Sequence, residues 1–127
     1  MDYRIDGNTA LVAASSSGLG KASAKVLASE GANVVINGRD QNRLDDAVAD
    51  VRDVADGDVV GVQGDLTDAD DIERLVDRTV GEFGGLDHLV TNAGGPPSGP
   101  FMEMDDRDWY DAFDLLVMSV VRLVRES

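Results

Sequence analysis

The chain has 127 residues, no cysteine, 43% apolar residues and a formal net charge of −14, with 25 Asp and Glu against 11 Lys and Arg. This length fits one domain with a modest core, and the lack of cysteine excludes disulfides and thiolate chemistry. The strong negative charge argues against nucleic acid and anionic membranes as partners.

The acidic residues are spread along the chain rather than collected in a tail, so we do not expect disorder. Lysine occurs only at Lys21 and Lys25. An acidic surface poor in lysine is typical of adaptation to high salt, which favours a halophilic source over an ordinary acidic mesophile. We therefore expect the melting temperature to rise with KCl concentration, since about 1 M salt screens charge repulsion beyond about 3 Å. A melt that does not respond to KCl would contradict this.

The sequence contains no apolar run of about 18 residues that could span a membrane. Its first residues, MDYRIDGN, lack the basic region and apolar core of a secretion signal. We therefore expect a cytoplasmic protein.

Apolar runs too short for helices alternate with segments of helical periodicity along the chain. The runs predict buried strands at residues 9–14, 33–37, 59–63 and 88–91. The periodic segments predict helices at 18–30, from Asp40 to near Gly57, from an N-cap at Thr67 to Gly84, and from about 106 onward. The proline-rich loop 94–100 cannot be helical. This alternation predicts right-handed crossovers and a parallel sheet.

A small-residue turn, AASSSGLG at residues 13–20, follows the first predicted strand and opens the first helix. Free backbone N–H groups and the positive end of the helix dipole attract phosphate at such a turn. Gly18 and Gly20 allow close approach of a diphosphate and of the helix to the sheet. A plain strand–helix turn is the alternative, and Lys21 is expected to be solvated. The predicted phosphate-binding residues are Ser15, Ser16, Ser17, Gly18, Leu19 and Gly20, with the three serines as hydroxyl donors.

This turn resembles the Thr-Gly-x-x-x-Gly-x-Gly turn of the short-chain dehydrogenase/reductase family. Ala13-Ala14 replace Thr-Gly, so a residue with a Cβ must form the first tight turn, which costs little unless its φ is positive. The resemblance covers nearly the whole chain but only the first half of a typical member. It implies a Rossmann-like, doubly wound parallel α/β sheet of about four strands, with residues 1–127 as an incomplete dinucleotide-binding domain.

The end of the second strand, Asn37-Gly38-Arg39, bears on the choice of cofactor. An acidic residue there binds the ribose hydroxyls of NAD and repels a 2′-phosphate. By resemblance Gly38 occupies the position of that acid, and the Arg39 guanidinium can pair with the 2′-phosphate of NADP. The prediction is NADP(H), with NAD(H) second. The alternative is that Arg39 is a solvated charge, and Asp40 is interpreted as the N-cap of the next helix.

Two further motifs match the family. Asp65 and Leu66 follow the third strand, where the resemblance implies a hydrogen bond to the adenine amino group and a wall for the ring; a plain turn is the alternative for Asp65. Asn92-Ala93-Gly94 follows the fourth strand, where small residues leave room for the cofactor and Asn92 ties strand ends together. The resemblance therefore adds Arg39, Asp65, Leu66, Asn92, Ala93 and Gly94 to the cofactor-binding residues.

The family's catalytic Ser and Tyr-x-x-x-Lys pair are expected beyond residue 127. Tyr3 and Tyr110 are each without a Lys four positions later, and Leu116 stands where the family has a catalytic Asn. We therefore predict no catalytic residue in this chain and no turnover by it alone. A single histidine, His88, cannot form a metal site, and the acidic residues near 105–111 are interpreted as a solvated face.

The leading hypothesis is an NADP(H)-dependent oxidoreductase acting on a small carbonyl or alcohol substrate, represented by its cofactor-binding half. The alternative is a truncated, non-catalytic nucleotide-binding module. A methyltransferase is disfavoured because residues 13–20 contain no acid. Family members commonly dimerise through the last helix, so we expect a homo-oligomer formed through the exposed Leu116, Val120 and Val124.

Overall fold

A computed structural model describes residues 2–95 and 98–127. The elements in chain order are β1 (Thr9–Val12), α1 (Gly18–Ser29), β2 (Asn33–Gly38), α2 (Gln41–Arg52), β3 (Val59–Gln63), α3 (Ala69–Phe83), β4 (His88–Val90), a 3₁₀ turn (Phe101–Glu103), α4 (Asp106–Phe113), a π-helical turn (Asp114–Met118) and α5 (Ser119–Glu126). The four strands form one parallel sheet in the order β3-β2-β1-β4. The predicted Rossmann-like, doubly wound α/β architecture is confirmed.

The two faces of the sheet bury alternate residues of the same strands. On β1, Ala10 and Val12 face one cluster, which α1 and α2 complete with Ala24 and Leu44. Leu11 faces the other cluster, to which α3 and α5 contribute their apolar faces. Side chains of successive strand residues point to opposite faces, so apolar residues are needed at every position of a strand covered on both sides. The uninterrupted apolar runs of the sequence have this origin.

Successive strands are added to the sheet on one side of β1 and then on the other. After β1 the chain moves outward through β2 and β3, then crosses back to place β4 on the other side of β1. The connections after β1 and β4 therefore diverge at the carboxyl edge of the sheet and leave a crevice between them. That crevice is where a parallel α/β fold accommodates a ligand.

Two element boundaries differ from the prediction by more than one residue. The strand predicted to reach residue 14 ends at Val12, because Ala14 has a φ of 48° that no strand accommodates. Helix α2 ends at Arg52 instead of near Gly57. The chain turns there, and Asp56 N donates to the carbonyl of Ala28 on α1.

The N-cap of α3 is Asp68, and the prediction of Thr67 is wrong. The Asp68 carboxylate accepts from the N–H groups of Asp70 and Asp71. Thr67 belongs to the turn before the helix, where its N–H and hydroxyl both donate to Asp65 Oδ1, at 2.9 and 2.7 Å. Asp68 and Thr67 are both good capping types, so composition alone did not separate them.

The last helix begins at Asp106 as predicted. Asp105 and Asp108 form a reciprocal capping box, and Arg107 forms an ion pair with Asp111. These acidic residues therefore cap the helix and pair along its surface. The buried side of the helix packs Ser119 and Leu123 toward α3. The opposite side leaves large apolar side chains in solvent: Trp109, Tyr110, Phe113, Leu116, Val117, Val120, Val121 and Val124.

Within the part of the chain that the structure describes, no helix is long and apolar enough to cross a bilayer. The same residues contain no cluster of three or more His, Asp or Glu side chains arranged to hold a metal ion. Pro96 and Pro97, in the proline-rich loop predicted to be non-helical, lie outside the described residues.

Candidate functional site

A cleft of about 560 Å³ opens at the carboxyl edge of the sheet, beside the point where the strand order reverses. Its walls come from the turn after β1, the ends of β2 and β3, the first turn of α2, the segment after β4 and the π-helical turn. The lining residues are Ala14, Ser16, Ser17, Asn37, Gly38, Arg39, Asp40, Arg43, Gly64, Asp65, Leu66, Gly94 and Leu115.

The turn after β1 presents some of its predicted residues to the cleft and buries others. Ser16 and Ser17 line the cleft. Gly18 has a φ of 58°, which a residue with a Cβ adopts only at a cost, while Leu19 is 82% exposed. Gly20 is buried beneath the turn, and a Cβ there would lie 2.9 Å from Ser15 Cα. This glycine allows α1 to start close against the sheet.

Ser15 does not have the predicted role of a hydroxyl donor to phosphate. It is fully buried, its Oγ donates to the Val12 carbonyl at 2.7 Å, and the same Oγ accepts from Asn37 N at 2.9 Å. The hydroxyl is therefore engaged inside the fold, where it joins the turn to β2. Ser16 and Ser17 remain as the hydroxyls at the cleft.

Ala14 is the strained residue of the turn. Its φ of 48° lies in the left-handed region, which costs a residue with a Cβ about 1–2 kcal/mol. Hydrogen bonds hold it on both sides: Ala14 N donates to Asn37 Oδ1 at 3.1 Å, and Asn92 Nδ2 donates to Ala14 O at 3.0 Å. The segment after β4 is thereby tied to the turn after β1.

Replacing Ala14 with glycine is expected to stabilise the fold by about 0.5–1 kcal/mol. The substitution relieves the left-handed strain, and the greater freedom of glycine in the unfolded chain offsets part of the gain. Ala13→Gly is the matched control, since Ala13 is fully buried and has no positive φ. Loss of the buried Ala13 methyl group, together with the freedom of glycine in the unfolded chain, should destabilise the fold. Urea unfolding of both variants at constant salt measures the two effects. If Ala14→Gly destabilised the fold as much as Ala13→Gly does, the conclusion that Ala14 is strained would be wrong.

Lys21, at the start of α1, is directed away from the turn. Its Nζ pairs with Asp50 Oδ2 on α2 at 2.5 Å, and this hydrogen bond and charge lower the pKa of the Asp50 carboxyl. The ion pair links α1 to α2 at the surface. Lys21 is expected from the sequence to be solvated, but its side chain is engaged with a carboxylate and is only 25% exposed.

Two arginines stand on the rim of the cleft. Arg39 follows β2, and its carbonyl accepts from Gln63 Nε2 at 2.9 Å, which fixes the loop. Arg43 lies in the first turn of α2, whose predicted N-cap is confirmed because Asp40 Oδ1 accepts from Arg43 N at 3.1 Å. Among the described residues five ion pairs form, and neither Arg39 nor Arg43 belongs to one. These guanidinium groups share the cleft with the carboxylates of Asp40 and Asp65, but neither is held in an ion pair by a described residue, so both are available to an anionic ligand.

Asp65 borders the cleft and also forms a turn. Partial burial raises the pKa of its carboxyl, but hydrogen bonds from the Thr67 N–H and hydroxyl, together with the charge of Arg39, outweigh burial and lower the pKa. The stabilisation this brings is present above the ordinary pKa of an aspartate and is lost as the pH falls through the lowered value. Asp65 is therefore ionised at neutral pH, with Leu66 buried beside it.

The wall opposite α2 is formed by Gly94 and Leu115. Asn92 and Ala93 are half-buried and are not among the lining residues. Leu116, which the resemblance predicts at the family's Asn position, is exposed, and its neighbour Leu115 lines the cleft. A π-helical turn contains an extra residue, so ordinary helical spacing does not fix which side chain faces inward there.

Several lining residues were missed by sequence reasoning. Arg43 could have been found as a second cation in the helix turn that follows Arg39. Asn37 could have been found as a polar residue that directly follows the apolar run Val34–Ile36 of β2. Leu115 had no such signal, because its place depends on the π-helical turn.

Comparison with known proteins agrees with this geometry. The short chain dehydrogenase family model matches residues 8–127. Dehydrogenase/reductase SDR family member 4 of Caenorhabditis elegans is 34% identical over 123 residues, which cover 96% of this chain and 47% of that protein. The L-sorbose reductase of Gluconobacter frateurii, solved with NADPH and L-sorbose, superimposes with a TM-score of 0.93 at 36% identity, over 99% of this chain and 48% of that one. A hydroxysteroid dehydrogenase from Escherichia coli gives a TM-score of 0.89 at 29% identity, over 96% of this chain and 51% of that one.

The chain therefore belongs to the short-chain dehydrogenase/reductase family of oxidoreductases. It spans about half the length of the relatives it matches.

Proposed function

We propose that this chain is the cofactor-binding half of an NADP(H)-dependent short-chain oxidoreductase that interconverts a small carbonyl compound and its alcohol. The observation that carries the proposal is the cleft between the turn after β1 and the ends of β2 and β3. A helix begins at this turn, so its N-terminal N–H groups and dipole favour a diphosphate there.

The placement of the other residues supports a dinucleotide along the cleft. Ser16 and Ser17 offer hydroxyls at the diphosphate position, and Asp65 with Leu66 offers an acceptor and an apolar surface for adenine. Asp65 Oδ1 is engaged by Thr67, so Oδ2 is the oxygen available for an adenine amino group. Gly94 leaves space at the nicotinamide end.

The charge on the rim favours NADP(H) over NAD(H). Gly38 leaves no carboxylate where one would bind the ribose hydroxyls, and Arg39 adjoins the same position without an ion-pair partner among the described residues. A similar protein, the L-sorbose reductase, was solved with NADPH, which is consistent with this preference.

Calorimetric titration tests the proposal directly. Folded protein in concentrated KCl is titrated with NADP⁺, NADPH and NADH. We expect saturable binding of all three, with both NADP forms tighter than NADH. Tighter NADH binding would overturn the cofactor preference, and the absence of saturation by every nucleotide would overturn the function.

A second candidate, a nucleotide-binding module without turnover, is favoured by Leu116 at the family's Asn position. A leucine cannot hydrogen-bond the water of a proton relay. For this chain alone we propose binding without catalysis. Steady oxidation of NADPH with any ketone would contradict that.

The exposed apolar face of the last helix supports self-association. Val120 and Val124 lie one turn apart on α5, and both contact solvent. We expect a dimer or larger oligomer by light scattering, and a shift to monomer when Val120→Asp and Val124→Asp are combined. The control combines Val26→Asp and Val80→Asp, two exposed valines on α1 and α3, and should leave the mass unchanged. A monomeric parent protein, or an equal shift in both double variants, would contradict association through this face.

A further inference from the structure

Asn37 is a buried polar residue near the carboxyl end of strand β2, and it is 1% exposed. Its side chain contacts three other segments. Oδ1 accepts from Ala14 N at 3.1 Å, while Nδ2 donates to the carbonyls of Val62 and Gly64, each at 3.2 Å. One buried amide therefore joins the turn after β1 to the end of β3 and the loop that follows it.

The backbone of Asn37 reinforces the same junction. Ser15 N donates to Asn37 O at 2.8 Å, and Asn37 N donates to Ser15 Oγ at 2.9 Å. No buried side-chain nitrogen or oxygen in the described part of the chain is left without a hydrogen-bond partner. Because a buried amide is costly to leave unpaired, this arrangement specifies one geometry.

The groups that Asn37 holds are groups of the cleft itself. Ala14, Gly64 and Asn37 all line it. Ala14 is held in its left-handed conformation at the residue just before the serines, and Gly64 is the residue just before Asp65. The Asn37 amide thus fixes the separation between the segment proposed to bind the diphosphate and the segment proposed to bind adenine.

We infer that Asn37 is a positioning residue for nucleotide binding: without touching the reacting groups, it sets the distance between the two halves of the cleft and holds Ala14 in its strained conformation. This inference rests on the proposed function for its ligand. Its structural part, the coupling of the turn to the residue 64–66 segment, is measurable without nucleotide.

The test uses Asn37→Asp as the isosteric variant and Asn37→Ser as the smaller one, in case the carboxylate prevents folding. Aspartate retains an acceptor for Ala14 N but replaces the amide donor with an oxygen that faces two carbonyl oxygens. Thr79→Val is the control: Thr79 is equally buried, and its hydroxyl donates to Leu75 O at 2.8 Å within α3. NADPH affinity is measured by calorimetry, and amide hydrogen exchange is measured without ligand.

Each folded Asn37 variant is expected to weaken NADPH binding by about tenfold or more, since it loses at least one hydrogen bond of the junction. Amide hydrogen exchange should accelerate at residues 14–18 and 64–66. The control variant Thr79→Val should change neither the NADPH affinity nor the exchange rates of these amides. Adding Ala14→Gly should restore part of the affinity lost in the Asn37 variant, because glycine adopts a positive φ without being held.

The outcomes separate the two proposals. If the parent protein binds no nucleotide, the proposed function fails and the exchange data alone decide the role of Asn37. If the parent binds NADPH but the Asn37 variants bind equally well, the positioning role is wrong while the function stands. Unchanged exchange at 14–18 and 64–66 in a folded Asn37 variant also overturns it, with or without nucleotide.

Discussion

Replacing Arg39 with glutamate is expected to weaken NADPH binding by about 10- to 100-fold and to leave NADH binding unchanged or tighter. A charge-assisted hydrogen bond contributes about 1.5–3 kcal/mol, which corresponds to that range of affinity. The new carboxylate would also repel a 2′-phosphate and could accept from the ribose hydroxyls of NADH. Calorimetric titration of the variant with NADPH and NADH measures both effects.

The surroundings of Arg39 make this substitution a clean one. Its guanidinium forms no ion pair with any residue that the structure describes, so its loss leaves no buried carboxylate unpaired. We expect the free energy of unfolding to change by no more than about 0.5 kcal/mol. The positive charge of Arg39 is one cause of the lowered pKa of Asp65. In the variant this pKa should therefore rise toward the ordinary value of an aspartate.

Because the nucleotide is itself an anion, the control is a charge reversal outside the cleft, which tests the effect of net charge alone. Arg78→Glu makes the same change in net charge on the exposed face of α3, where Arg78 lies 4.0 Å from Glu82. It should leave the ratio of NADPH to NADH affinity unaltered, because exposed charges farther apart than about 10 Å are screened at ordinary salt. If Arg78→Glu altered the ratio as much as Arg39→Glu, general electrostatics and not the rim of the cleft would determine the preference.

The sheet and its order of elements were predictable because burial on both faces demands uninterrupted apolar strands. The runs that contain Leu11 and Val35 are buried on both faces, so their sequence carries a strong signal. Helix ends were predictable where one residue had a unique role, as at Gly84, whose φ of 81° ends α3. Where two neighbours could serve, as at Thr67 and Asp68, local sequence did not decide.

The candidate site was predictable as segments but not as side-chain roles. Ser15 and Ser16 are adjacent residues of one type, yet one is buried in the fold and the other lines the cleft. That difference depends on where β2 presents Asn37, which is 22 residues from Ser15 in the chain. Arg43 and Leu115 enter the cleft for the same kind of reason, since their positions follow from how helices sit on the sheet.

The φ angle of Ala14, and therefore its strain, could not be predicted from the sequence. Alanine in place of the family's glycine is neutral in an ordinary conformation and unfavourable at positive φ. The observed φ of 48°, together with hydrogen bonds to both the N–H and the carbonyl of Ala14, shows that tertiary contacts impose the turn on a residue that does not favour it. The turn is therefore specified by Asn37 and Asn92 as much as by its own residues.

Gly20→Ala is expected to have the largest effect on stability, a loss of about 3 kcal/mol or more in the free energy of unfolding. The added Cβ would overlap the Ala14 carbonyl oxygen and lie 2.8 Å from Asn92 Nδ2 and 2.9 Å from Ser15 Cα. Two of these neighbours are backbone atoms and cannot rotate away, so the cost lies at the upper end of that for overpacking. Relief would require α1 to move off the turn, and nucleotide binding should fall with it.

Gly81→Ala provides the matched control, since Gly81 lies on the exposed side of α3 and a Cβ there would meet no atom within 4 Å. Alanine favours a helix more than glycine does, so this variant should be more stable than the parent by about 0.5–1 kcal/mol. Urea unfolding in concentrated KCl compares the two variants, and calorimetry with NADPH compares their affinities. The same chemical change should thus act in opposite directions at two helical positions, because only at Gly20 does the helix approach the backbone of another segment. A Gly20→Ala protein with the stability and affinity of the parent would mean that α1 does not lie against the turn in this way, and the geometry assigned to the diphosphate site would fail with it.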